Sequence, residues 1–281
     1  MASITLDELH TFHAVDRELF TQLVINSKRD PSQSLLVMAL WLWLEDKGYP
    51  SVIQKMLRLS DSLVDKIADE AVFCLKYLES KSTPTIIPPD GGIPLTAGLM
   101  ERDISLRMFN QNKFTAISGV KSFLNNVCAR IFADILHLVL GSTSQETLRQ
   151  SLVIPGFPHP VFGDVTIIKL PLDYSLPIRE LWCWDRTEDI PEDDRTMFLT
   201  FSRGFPVSEA EVRELFTRLY GDCVDSILME LVPANEQPLY ARMVLRSVTT
   251  IDEILNGKPI SKFRINGKHI WTRKYEKRDI F

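Results

Sequence analysis

Four cysteines in 281 residues, Cys74, Cys128, Cys183 and Cys223, are widely scattered, and no Cys-x-x-Cys pair occurs. Structural zinc spacings and the thioredoxin-type redox motif are therefore missing. Reduced thiols in a nuclear or cytoplasmic protein suit this usage better than a disulfide framework. The Gly-x-x-x-x-Gly-Lys-Ser/Thr phosphate loop is absent as well, since neither Gly91-Gly92 nor Gly267-Lys268 has its spacing. There is no nucleophile elbow. Met1 to Glu8 holds neither a basic leader nor an apolar stretch, so the expectation is a protein that is not secreted. The most apolar run, Leu35 to Leu44, is too short to span a bilayer and reads as a helix buried inside a bundle.

The histidines do not fill these gaps. His10 and His13 stand three apart near Asp7, but a metal site needs more converging ligands. His137 falls on an apolar face, and His159 lies between two prolines. Asp193 and Asp194 read as a solvated boundary ahead of a strand. The expectation is a non-enzymatic chain with no cofactor, no metal, no small-molecule substrate and no membrane span.

The composition is that of an ordinary soluble protein: 45% apolar residues, 25% charged residues and a net charge of -5. The charge is uneven. Lys258, Lys262, Arg264, Lys268, Arg273, Lys274, Lys277 and Arg278 crowd the end of the chain and are interrupted only by Glu276, so the sequence reads as an acidic body with a basic tail.

Residues 1–80 read as a helical bundle. Thr5 with Glu8 forms a capping box, and Asp30-Pro31 is a helix start with Pro at the first position. Ser62 with Asp65 suggests a further cap. The Pro- and Gly-rich stretch 81–98 reads as a linker, because Pro84, Pro88, Pro89, Gly91, Gly92 and Pro94 oppose regular structure. Helical periodicity resumes over 99–150, ending at Gly141, and this part is expected to pack with the bundle. Residues 151–194 read as an irregular connector in which Trp182 and Trp184 are available to pack.

The last third, residues 195–281, reads as strand–helix–strand–strand–helix–strand. The strands are Met197–Phe201, Val224–Leu231, Leu239–Leu245 and Lys268–Tyr275, and the helices are Ser208–Tyr220 and Thr250–Leu255. Ser208 with Glu211 forms a capping box, Val212, Leu215, Phe216 and Leu219 share a face, and Gly221 stops the helix. Thr250 with Glu253 suggests a second box. Asn266-Gly267 supplies a turn. Period-two alternation sends Leu239, Ala241, Met243 and Leu245 to one face, and Tyr240, Arg242 and Val244 to the other.

This order resembles the RNA-recognition motif family. Phe198 in Met197-Phe198-Leu199 sits where the family's first strand carries a stacking aromatic. Tyr240 sits at the first aromatic position of its third strand. Arg242 replaces the second aromatic, Pro238 and Leu239 depart from the basic-Gly start, and Leu245 departs at the end. The arrangement as a whole looks like RRM-like plant proteins. The resemblance implies an α+β protein: an all-helical N-terminal domain, then a βαββαβ sandwich with a four-stranded antiparallel sheet. It also implies a single-stranded RNA partner held by Phe198, Tyr240, Arg242, Trp271 and Arg273, with Lys268 and Lys274 adding charge, because aromatic and guanidinium planes stack on unpaired bases. The helical domain is then the contact for a protein partner. A second reading stays open, in which the sheet docks a protein or another part of the chain and binds no RNA.

Overall fold

The computed structural model describes residues 3–80, 91–100, 102–141, 151–177, 190–233 and 236–276. Within them the chain forms two compact units. The first holds residues 3–80, 91–109, 116–141 and 151–177; the second holds 110–115 and 190–276. Three expectations fall outside the described residues: a packing role for Trp182 and Trp184, the prolines before Gly91, and the charges of Lys277 and Arg278.

The first unit runs β1 (Ser3–Thr5), α1 (Leu6–Phe12), α2 (Ala14–Thr21), α3 (Pro31–Asp46), α4 (Val52–Met56), α5 (Asp61–Glu79), α6 (Pro94–Leu99), α7 (Leu106–Gln111), α8 (Lys113–Phe123), α9 (Ala129–Ile131), α10 (Ala133–Val139) and β2 (Ser175–Pro177), residues 110–115 of α7 and α8 counting with the second unit. Local chemistry sets the starts. Thr5 Oγ1 accepts from the Glu8 amide, and the Glu8 carboxylate accepts from the Thr5 amide at 2.8 Å. The Asp30 carboxylate accepts from the Gln33 amide at 2.9 Å, with Pro31 opening α3. Every residue of α3 from Ser34 to Leu44 is buried, so the helix is enclosed on all sides. Phe20 stacks on Phe132 at 4.2 Å between centroids, and Gly119 lets the backbone of α8 pass against the Trp43 indole.

The first unit is not all-helical. β1 and β2 form a two-stranded antiparallel sheet, with Ser3 opposite Pro177. Residues 151–177, expected as an irregular connector, also carry Ile154, Phe162, Val165, Ile167 and Leu176 into the helical core. Pro94, expected to break regular structure, opens α6, because a proline at the first helical position gives up an amide that has no partner there anyway. α5 starts at Asp61 after Ser60 and has no side-chain cap, so Ser62 and Asp65 lie inside it. Cys74, Cys128 and Cys223 are buried free thiols.

The second unit has a 3-10 turn (Glu192–Arg195), β3 (Thr196–Phe201), α11 (Glu209–Tyr220), β4 (Val224–Met229), β5 (Tyr240–Leu245), α12 (Thr249–Leu255), β6 (Ile260–Ile265) and β7 (Lys268–Lys274). The sheet has five antiparallel strands in the order β4-β5-β3-β7-β6, not the four expected. The added strand, β6, comes from the segment read as a basic tail. Asn266 and Gly267, both at positive φ, turn it back onto β7. Ser261 donates to the Ile254 carbonyl, and the Phe263 ring meets Phe216 at 5.2 Å, so these two side chains join the helix side. Met197, Leu199, Ala241, Met243, Leu245 and Ile270 form the core beneath α11 and α12. The Ser208–Glu211 box caps α11. α12 lacks the expected Thr250–Glu253 box: it begins at Thr249, and Thr250 is buried.

Candidate nucleic-acid interface

β3 is the centre of the sheet and sets the register of its open face. Phe198 pairs with Arg242 on one side and Arg273 on the other; Thr200 pairs with Tyr240 and Trp271. Because alternate residues face opposite ways, all five of Phe198, Tyr240, Arg242, Trp271 and Arg273 come to the side away from the helices. The Phe198 and Tyr240 rings lie 5.5 Å apart at 24°, a side-by-side stacked arrangement. The Arg273 guanidinium is 4.8 Å from the centroid of Phe198, and that of Arg242 is 5.7 Å from Tyr275. Tyr240 is 39% exposed; Phe198, Trp271 and Arg273 are half-buried.

Lys268 and Lys274 are set apart from these five. They share the parity of Ile270 and Thr272, which are buried on the helix side. Lys268 Nζ reaches Glu211 at 2.8 and 3.1 Å and so closes the α11 capping box. Together with the Ser208 amide and Asn266, it holds the Glu211 carboxyl down at about 2. Lys274 Nζ donates to the carbonyls of Asp193, Thr196 and Tyr275. Neither ammonium belongs to the aromatic face, and counting in twos from Trp271 would have separated them in the sequence.

Val244 departs from the expected open face in another way. It has outward parity, yet it is 3% exposed and stands outside the core beneath the helices. The 3-10 turn Glu192–Arg195 packs against β5 at this end. Arg195 anchors the turn, donating from Nη1 to the Leu245 carbonyl at 2.6 Å, with Asp225 at 3.5 Å. The open face therefore begins at Arg242 and Phe198 and extends toward Tyr240, Trp271 and β6.

Sequence reasoning missed the far side of this surface. On β6, Lys262 pairs with Trp271 and Arg264 with His269. Both cations are exposed, and Lys262 Nζ lies 5.2 Å from the Trp271 centroid. At the opposite edge, Leu228 pairs with Arg242 and is 53% exposed. The alternation Ile-Ser-Lys-Phe-Arg-Ile was the available signal for β6.

Comparison with protein-family models, curated proteins and solved structures finds no match. Among the described residues, no three or more His, Cys, Asp or Glu side chains are grouped to hold a metal ion, and no helix is long and apolar enough to cross a membrane. The rings and cations of the sheet face can stack, make cation–π contacts and attract anions.

Proposed function

We propose that the second unit is an RRM-like module that binds single-stranded RNA without catalysis, its sheet widened by the hairpin that β6 makes with β7. The strand order supports the fold reading: without β6, the sheet has the antiparallel layout in which a first strand lies between a third and a fourth. The observation that carries the functional reading is the row Arg242–Phe198–Arg273 beside Tyr240 and Trp271. It places three aromatic rings and two guanidinium groups on one face. Stacking on such rings is worth about 1–3 kcal/mol per base. Arginine planes stack on bases as well and attract phosphate. Phe198 and Trp271 take bases, Tyr240 contacts base or sugar, and Arg242 and Arg273 stack or meet phosphate.

In this reading the chain is an adaptor, and the helical unit contacts protein. Its exposed Phe73 and Leu138 are among the apolar side chains suited to that contact. Nuclear or cytoplasmic residence accompanies this reading.

The test is fluorescence anisotropy of the full chain with a pool of short, labelled, randomised single-stranded RNAs. The Phe198→Ala/Tyr240→Ala double variant should weaken binding by at least about 30-fold if each ring supports a base. Binding indifferent to that double change overturns the stacking assignment. The second reading, a protein-docking sheet, is favoured by the exposed Leu228 beside Arg242. It takes over if the wild-type chain binds no RNA.

A further inference from the structure

The fifth strand places charge where the aromatic face ends. β6 presents Ile260, Lys262 and Arg264 at its exposed positions, while Ser261, Phe263 and Ile265 turn toward the helices. Alternation therefore fixes both cations on the side of Trp271 and Phe198. Lys262 stands directly opposite Trp271, and Arg264 one pair further along, opposite His269. On β5, β3, β7 and β6, no open-face position is acidic. From β5 to β6 the surface is three strand spacings wide, about 14 Å. It passes from rings at its centre to two exposed cations at its edge.

We propose that β6 is a phosphate-contacting rail, with Lys262 and Arg264 binding the backbone of the nucleic acid whose base lies on Trp271. The inference rests on the RNA-binding reading above and adds two residues and a direction to it. A base settling on the indole takes the space above the ring, and the Lys262 ammonium, on its flexible stem, turns outward to the adjoining phosphate. Arg264 offers the next phosphate a planar, two-pronged donor. The rival role is defensive: cations on an edge strand discourage edge-to-edge pairing between copies of a chain.

The two roles differ in what salt does. The experiment measures affinity of the full chain for the labelled randomised RNA pool across a salt series, comparing wild type, Lys262→Gln/Arg264→Gln and Phe198→Ala/Tyr240→Ala. For a single strand, each cation that no longer neutralises a phosphate should lower the slope of log affinity against log salt by about 0.7. The β6 double variant should therefore show a slope shallower by about 1.4. The aromatic double variant should weaken binding at every salt concentration with its slope retained. A second variant, Lys262→Glu/Arg264→Glu, keeps the edge charged and must bind more weakly than the Gln variant while staying folded and monomeric. Wild-type binding whose slope is unchanged in both β6 variants overturns the rail and leaves β6 its defensive role. A wild-type chain that binds no RNA overturns the rail and the RNA-binding reading together.

Discussion

In the helical unit, Arg17 and Arg29 meet carboxylates. Arg17 grips Asp134 with two parallel bonds of 2.9 and 2.7 Å, and Arg29 joins Asp65 to Asp69. On the open face of the sheet unit, Arg242 and Arg273 lie over rings. Trp41, Phe20 and Phe132 are fully buried in the first unit, whereas Tyr240 is exposed and Phe198 and Trp271 are half-buried in the second. A cation held by a carboxylate serves the fold and has little attraction left for an anion. A cation held by a π-face instead is weakly restrained, by about 0.5–1 kcal/mol at an exposed site. It can turn to phosphate at small cost. The difference teaches that these arginines are told apart by the kind of partner each charge has, which composition alone does not reveal.

The largest effect expected from breaking this comparison lies in the helical unit. A Cβ added at Gly119 would fall 2.0 Å from Trp43 Cδ1. Gly119→Ala should therefore destabilise the first unit by about 3 kcal/mol, as overpacking does, read as a lowered urea midpoint.

A smaller, pH-dependent effect is expected from Asp252. Its carboxylate accepts from the Phe114 amide, the Thr115 amide and the Thr115 hydroxyl, all within the second unit. Burial outweighs those bonds and pushes its pKa up to about 6. The unfolded value is about 3.9. Between these two values the folded chain holds a proton that the unfolded chain has released. The stabilisation is full below about pH 4, lost as pH rises through about 6, and flat above. The stability difference between wild type and Asp252→Asn should vary across that window and nowhere else.

The smallest effects sharpen the contrast between paired and unpaired cations inside one unit. Lys268→Met should cost about 1 kcal/mol near neutral pH, the upper end for a pair about one-fifth exposed. Because Glu211 is lowered from an ordinary value near 4.3 to about 2, that contribution exists above about pH 4 and fades as pH falls through about 2. Arg242→Ala should leave the free energy of unfolding within about 0.5 kcal/mol of wild type, read by urea denaturation.

Local chemistry was legible in the sequence. The Thr5–Glu8 and Ser208–Glu211 boxes and the Asp30-Pro31 start depend on residues within three positions of each other and could be read directly, whereas the Ser62–Asp65 and Thr250–Glu253 caps, read at the same spacing, do not form. Tertiary decisions could not. β6 was hidden because an edge strand carries cations where an inner strand would carry apolar residues, and Ile-Ser-Lys-Phe-Arg-Ile then looks like a solvated tail. Over 99–141 the further helices expected appear as α7 to α10, but the π-type turn at Leu124–Cys128 between them has no mark in the apolar periodicity. Of the candidate site, alternation alone gathers Phe198, Tyr240, Arg242, Trp271 and Arg273. The packing of the 3-10 turn against β5 is held by Arg195, fifty residues away in sequence from the carbonyl it grips, and no local pattern announces it.

The enclosure of α3 has a consequence in time. A helix with no polar face has no stable life in water, and its shelter includes the π-type turn Leu124–Cys128, which packs against it. At about 5–20 residues per second, a ribosome needs roughly 4 to 16 s to make the chain from the end of α3 at Asp46 to the end of that turn at Cys128. For that interval the most apolar segment of the protein is made but not yet fully housed, so its safe passage depends on how fast the nascent chain can be attended by chaperones.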